Sequence, residues 1–341
     1  PTCRNIEGPA LSCTMRPNWL LAAALVLALA LAGTSVCRST IVGIGEALRR
    51  ALLPCGRANE TAATAAGGLG AVFVNAAKDF PELSPRVLSR DPWIVAFQEF
   101  ASDAEMDGIL AAARAQTRGD FVQSLMDDED GDVVRSSQHL WCDTPTCMQD
   151  ADVVRLMSRL STVTRTPAAN AEVLQLLRYD EGQRYDVHND YTGGGHDGAS
   201  GGRLFSFVLF LSSPEEGGEL HFADVNLTIR AERGAAVLWP SLSAQDFDLP
   251  ELLSHHASVP VRRGQKLAAV TWLHLYDWRT LQLDRGCAES LGAIIPPFAL
   301  LPRYLAAREA AGLERIVPSS MIAQAQRAQR QAQARREAHS V

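Results

Sequence analysis

What this 341-residue sequence lacks narrows it first. There is no basic surplus: 32 Lys and Arg stand against 39 Asp and Glu, a formal net charge of -7, so no nucleic-acid partner is expected. There is no methionine at position 1, where Pro1 stands; Met15 is the better translation start. There is also no apolar run of spanning length. The run in "MRPNWLLAAALVLALALAG" covers about 15 residues, and a membrane helix needs about 20. One basic residue, that run and the small residues after it make a secretory signal, with Ala30-Leu31-Ala32 as an A-x-A cleavage site. A retained signal-anchor, giving a membrane anchor through residues 19–33, is the alternative. Either way the chain is expected in the endoplasmic reticulum and secretory pathway, lumenal or membrane-anchored.

Cysteine usage is read in the same light. Cys3 and Cys13 precede the apolar run, which leaves Cys37, Cys55, Cys142, Cys147 and Cys287 of the seven. No second ligand pair follows Cys142 and Cys147 in "WCDTPTC", so this pair reads as a disulfide closing a small loop and not as a zinc site. Five is odd, and one thiol is left free or paired outside the chain. Two glycosylation sequons, Asn59-Glu60-Thr61 and Asn226-Leu227-Thr228, fit the same compartment.

What is present is an ordinary globular composition, 47% hydrophobic and 21% charged, in uneven segments. Residues 1–32 hold the signal peptide or signal-anchor, and residues 33–85 read as an Ala/Gly-rich stem with partial helix. From residue 86 the pattern sharpens. A β-rich segment from Val87 to Phe97 leads to Ser102, which can cap a helix, with Glu105 completing a capping box and Met106, Ile109, Leu110 and Ala113 at helical spacing. A second helix is predicted across 150–160. Short apolar runs then alternate with Gly, Pro and Asp, among them "EVLQLLRY", "LFSFVLFLSS", "AAVLWP" and "KLAAVTWLHLY". Several short strands with turn signals between them predict a jelly-roll sandwich or barrel, with the helices covering one face. Residues 281–341 add a short helical segment and a low-complexity Ala/Gln/Arg tail, a solvated helix or a disordered end.

"RYDVHNDY", residues 184–191, carries the chemistry. If it is a strand, His188 and Asp190 share a face and Asn189 points outward. A third ligand can come from His255 or His256 in "LLSHHASVPVRRGQK". Two imidazoles and a carboxylate leave metal positions open, which suits an iron that must bind a cosubstrate and O2. Lys266, ten residues past His256 at the start of the next apolar strand, can pair with the far carboxylate of a dicarboxylic acid. Other polar and aromatic residues read as structural: His196 in a Gly-rich loop, His221 on a strand, His274 as a hydrogen-bonded core histidine, and Trp239, Trp278, Phe205 and Phe207 as barrel packing.

At these residues the sequence resembles the prolyl 4-hydroxylases of the 2-oxoglutarate- and Fe(II)-dependent dioxygenases. The family pattern Y-x-x-G-Q-x-Y-x-x-H-x-D is matched by Tyr179, Gly182, Gln183, Tyr185, His188 and Asp190, and "HHASVPVRRGQKLAAVTWLH" is similar to H-x-x-x-P-V-x-x-G-x-K followed by W-x-H. The resemblance covers about residues 86–280, which would be the dioxygenase domain. It implies an α+β fold, a double-stranded β-helix (jelly-roll) core with flanking N-terminal helices. It implies His188, Asp190 and His256 as Fe(2+) ligands, leaving His255 beside the site or at the surface, and Lys266 on 2-oxoglutarate. Tyr179 and Ser206 would stand near that cosubstrate, and Tyr185 and Trp272 near the peptide. O2 and L-ascorbate complete the implied cofactors, and a proline-containing protein or peptide is the implied substrate, hydroxylated as 2-oxoglutarate becomes succinate and CO2. The same chemistry on lysine or a small molecule, and a non-catalytic lumenal binding module, are the rival expectations. The sequence departs from the family where T-x-F-P is "LHFA" at 220–223 and where the loop 192–202 is unusually Gly-rich, which bears on peptide specificity.

Overall fold

The apolar runs around residues 203–211 and 266–276 form the middle of the larger of two sheets. A computed structural model describes residues 61–116, 119–124, 126–127, 133–192, 199–284, 306, 308–310 and 312–313. The signal or anchor segment, Cys37, Cys55, Cys287, Asn59, His196 with most of its Gly-rich loop, and the terminal tail lie outside these residues. Among the described residues no helix is long and apolar enough to cross a membrane.

The helices are α1 (Leu69–Lys78), α2 (Asp103–Arg114), α3 (Pro145–Met148) and α4 (Ala151–Thr164). The strands begin with β1 (Pro85–Arg90), β2 (Trp93–Phe97), β3 (Val122–Gln123), β4 (Met126–Asp127), β5 (Val133–Arg135), β6 (Gln138–Trp141), β7 (Gln175–Tyr179) and β8 (Tyr185–His188). They continue with β9 (Arg203–Phe210), β10 (Glu216–Gly217), β11 (Leu220–Phe222), β12 (Leu227–Ile229), β13 (Ala236–Pro240), β14 (His256–Ser258), β15 (Val261–Arg263) and β16 (Lys266–His274). The major sheet has the order β1-β2-β13-β9-β16-β7-β6-β3, the minor sheet β12-β11-β14-β8-β5-β4, and β10 pairs with β15 as a separate ribbon. Every pairing is antiparallel, and two facing antiparallel sheets with crossover connections make the jelly roll.

Strand periodicity sorts the core into two layers. Along β9, Phe205, Phe207 and Leu209 face the helices and pack with Phe73, Met106, Leu156 and Leu160. Val208 and Phe210 face the opposite way and join Tyr179, Phe222, Trp239 and Trp272 between the sheets. Because β9 and β16 are buried on both faces, they read as nearly continuous apolar runs, unlike the alternation of a half-exposed strand.

The capping box predicted at Ser102 and Glu105 is formed: the Ser102 hydroxyl accepts from the Glu105 N–H at 3.3 Å, and the Glu105 carboxylate accepts from the Ser102 N–H at 3.1 Å. The predicted disulfide joins Cys142 to Cys147, with Cα atoms 5.4 Å apart.

Two features bear on the expected boundaries. Part of the stretch read as a stem is α1, whose Leu69, Phe73 and Ala76 are buried in the core. Burying Leu69 and Phe73 alone contributes roughly 3–6 kcal/mol, which ties the helix to the domain. At the other end Arg308, well past residue 280, is 1% exposed and ion-paired inside the domain. Alanine and glycine content had suggested a linker, but the three buried positions at helical spacing make a packing face.

Candidate metal and cosubstrate site

The cavity between the sheets, about 250 Å³, receives side chains from both. His188 ends β8 and His256 begins β14, and the two are direct register partners across the minor sheet. Asp190 follows two residues later. The three ligand atoms lie within 4.8 Å of one another, with His188 Nε2 3.7 Å and His256 Nε2 3.5 Å from the Asp190 oxygens. Both imidazoles have Nδ1 tied to a backbone carbonyl, Asp186 O at 2.8 Å and Ser254 O at 2.9 Å. Those bonds fix the tautomer that leaves Nε2 as a lone-pair donor. Two neutral imidazoles and one carboxylate fit a divalent iron with open positions.

The electrostatics favour the same protonation states. Burial, then the neighbouring His256, pushes the His188 pKa down to about 3. Burial also lowers that of His256. For Asp190 burial acts upward, but the two imidazoles, Arg203 and the Ser206 hydroxyl outweigh it and hold the carboxyl at about 2. The Tyr185 ring stacks on His188 at 3.6 Å between centroids, and the Trp239 ring meets His256 edge-on at 4.8 Å. The ligands are therefore held by aromatic walls as well as by hydrogen bonds.

The Asn189 expectation fails. The strand ends at His188, and Asn189 is buried, donating to Glu251 O at 3.3 Å and Ser254 Oγ at 3.2 Å while its Oδ1 accepts from the Tyr191 N–H at 2.7 Å. A short amide side chain captures its own backbone two residues on, so the chain turns instead of extending.

Ser206 stands beside a candidate ligand. It is fully buried behind Asp190, donating to Oδ2 at 2.6 Å and sharing a hydrogen bond with Ser241, and it is not among the residues lining the cavity. It orients a carboxylate of the chain. His255 is likewise no ligand; it is wholly buried, pointing away from the cavity, with Nδ1 donating to Asp224 at 2.6 Å. His274 is a core histidine, bonded to Gly201 O and Glu172.

At the other end of the cavity stands Lys266, one of two lysines in the sequence. It begins β16 opposite Tyr179, the last residue of β7. Its ammonium donates to Ser258 Oγ at 2.7 Å and lies 5.1 Å from the Tyr179 ring centroid and 5.6 Å from that of Phe210. Burial lowers its pKa to about 7, only partly opposed by Glu219. Tyr179 and Ser258 line the same corner of the cavity. Gly217 and Gly218, at φ +78° and +75°, let the β10–β15 ribbon close over this corner; a Cβ on Gly217 would stand 2.2 Å from Pro260 O. Tyr185 and Trp272 line the same cavity.

Four residues went unread in the sequence. Arg203 lies 3.7 Å over the Trp272 ring and is bidentate on Glu172 at 2.6 and 3.1 Å. Burial acts upward on Glu172, yet Arg203 and His274 hold its pKa near 2. Arg135 covers the Tyr185 ring at 4.7 Å, and Ser258 receives the lysine. The available signal was a charged residue at the end of an apolar run, as in "EVLQLLRY" and "GGRLFSF".

With this geometry in hand, comparison with known proteins shows what the chain is similar to. Residues 174–274 match the family model of the 2OG-Fe(II) oxygenase superfamily, a span that contains all three candidate ligands and Lys266. The relatives it matches in sequence include prolyl 4-hydroxylases. It is 28% identical over 229 residues to Prolyl 4-hydroxylase 2 of Arabidopsis thaliana, covering 59% of this chain and 74% of that relative. It is 30% identical over 212 residues to human Prolyl 4-hydroxylase subunit alpha-3, covering 60% of this chain and 37% of that one. Among solved structures it is similar to the viral collagen prolyl hydroxylase of Paramecium bursaria Chlorella virus-1, with TM-score 0.41, 23% identity and coverage of 52% and 94%.

Proposed function

We propose that this protein hydroxylates proline in a protein or peptide, using Fe(II), 2-oxoglutarate and O2. The observation that carries the proposal is one cavity holding a His-Asp-His set at one end and a buried lysine at the other. Bound iron with 2-oxoglutarate supplies the oxidising chemistry, one atom of O2 entering succinate as CO2 leaves and the other entering a substrate C–H bond.

The chain's own residues prepare and confine that chemistry. His188 and His256 present unprotonated Nε2 atoms, and Asp190, ionised and held by Ser206, adds one negative charge. Lys266 and Ser258 receive the far carboxylate of the dicarboxylic acid, with Tyr179 in the same corner. Val208, Phe210, Leu220, Ala268 and Val270 give that end an apolar lining that excludes water. Tyr185, Trp141, Tyr191 and Trp272 give the cavity an aromatic lining against which a prolyl ring on an extended chain would lie. A lysine substrate is disfavoured: Asp190 is the only carboxylate among the described residues lining the cavity, which also carries Arg135, Arg203 and Lys266. A non-catalytic module has no need of a complete ligand set with its hydrogen-bonded support.

We assign L-ascorbate as the reductant that keeps the iron ferrous, and the oxidising lumen of the endoplasmic reticulum as the place of work. The Cys142–Cys147 disulfide supports that location, as does the exposed Asn226 sequon on the β11–β12 turn. Purified protein given Fe(II), ascorbate, 2-oxoglutarate and a Pro-rich peptide is expected to release succinate in a peptide-dependent way. Release that depends only on a lysine peptide, or none at all, overturns the proposal.

A further inference from the structure

Arg308 is the largest fully buried side chain among the described residues, and it comes from the C-terminal segment, far outside the matched family domain. Its Nη2 donates to Asp224 Oδ1 at 2.7 Å and its Nη1 to Leu252 O at 2.6 Å. Asp224 in turn accepts from His255 Nδ1 at 2.6 Å, and the Ala223 N–H donates to His255 O at 2.9 Å. A buried guanidinium therefore joins the end of β11 to the irregular loop that runs into His256. A charge of this kind tolerates burial only with such partners, and removing one leaves the others uncompensated.

That loop decides the orientation of a ligand. The Ser254 carbonyl accepts from His256 Nδ1, so the place of that carbonyl fixes the ring that offers Nε2 to the cavity. Between residues 251 and 255 the backbone has no strand ladder and is pinned from two sides. Asn189, between the two other ligands, holds Glu251 O and Ser254 Oγ. Arg308 holds Leu252 O and, through Asp224, His255. His255 and His256 point to opposite faces, one into this ionic cluster and the other into the metal site.

We propose that Arg308 is a positioning residue for the metal centre: it clamps the 251–255 loop and thereby sets the His256 imidazole, so that the C-terminal segment completes the site. This rests on the reading of His188, Asp190 and His256 as a metal site. Supporting hydrogen bonds around metal ligands are typically worth about 10–100-fold in metal affinity.

The test titrates the full-length protein with Mn(II) alone, following free Mn(II) by its electron paramagnetic resonance. Wild type is expected to bind one ion, and Arg308→Ala about 10–100-fold more weakly. Asp224→Asn is expected to weaken binding in the same sense. Arg308→Lys, which keeps the charge but cannot reach both partners, is expected to recover part of the loss. Arg159→Ala serves as the control, because it breaks a distant ion pair with Glu105 and is expected to lower the melting temperature while leaving Mn(II) affinity unchanged. The inference is overturned if the Arg308 variants bind Mn(II) like wild type, or if Arg159→Ala weakens binding equally. Should Arg308→Ala fail to fold, Arg308→Lys and Asp224→Asn decide: wild-type affinity in both overturns it. Failure of wild type itself to bind Mn(II) overturns instead the metal-site reading beneath it.

Discussion

The two sheets that enclose the cavity are built differently, and the difference assigns their tasks. The central strands of the major sheet, β9 and β16, run for eight and nine residues and are buried almost throughout. Those of the minor sheet that carry His188 and His256 run for four and three. A long ladder with both faces packed fixes whatever it carries, and Lys266 rides on such a strand opposite Tyr179. A short ladder fixes little. There the geometry of the ligands comes from side-chain hydrogen bonds: Ser206 to Asp190, Asn189 to the 251–254 loop, and carbonyls to both imidazoles. The anchor end of the cavity is rigid through its backbone and the metal end through its polar contacts.

Substitutions can break that contrast, starting with the largest effect. His188→Ala removes an imidazole that no neighbour replaces, and we expect turnover and metal binding both to be lost, measured by succinate release and Mn(II) titration. Lys266→Ala removes one charge-assisted hydrogen bond, worth about 1.5–3 kcal/mol, and should raise the KM for 2-oxoglutarate roughly 10–150-fold while metal affinity stays near wild type. If metal affinity falls equally, the two ends are not independent.

The lysine also gives a pH signature. Because burial leaves its pKa at about 7, Lys266 loses its charge above neutrality, and a bound carboxylate must raise that pKa, so binding takes up a proton there. The KM for 2-oxoglutarate should be flat below pH 7 and rise above it by up to about tenfold per pH unit, a slope absent in Lys266→Ala. Ser206→Ala is expected to weaken metal binding about tenfold with the KM for 2-oxoglutarate little changed, opposite to the outcome expected had Ser206 touched the cosubstrate. The smallest effect sharpens the comparison from outside the cavity. Ser102→Ala, which removes the cap of α2, should cost about 1 kcal/mol in denaturant unfolding and leave both metal affinity and KM unchanged.

The same contrast explains what could be read from the sequence. β9 and β16 announced themselves as apolar runs, α2 by its capping box, and Lys266 by its distance from His256 at the head of a strand. These are local signals, or spacings within one motif. The contacts that no local pattern reveals join residues distant along the chain. Ser206 reaches Asp190 and Arg203 reaches Glu172, while Arg308 reaches Asp224 from a segment that looked like a mere appendage. Asn189 was misplaced because alternation along a strand was assumed past the point where its amide turns the chain. α1 was missed because alanine and glycine content concealed three core positions. Local patterning thus reveals the scaffold and the ligands, and says little about the contacts that hold the ligands in place.

The central claim is that this cavity inserts oxygen into proline. Its most direct test is tandem mass spectrometry of a Pro-rich peptide after reaction with the protein, Fe(II), ascorbate and 2-oxoglutarate under isotopically labelled O2. The prediction is one labelled oxygen atom on a proline ring, formed in step with succinate and absent with His188→Ala. Label on another residue, or succinate released with the peptide unmodified, would contradict it.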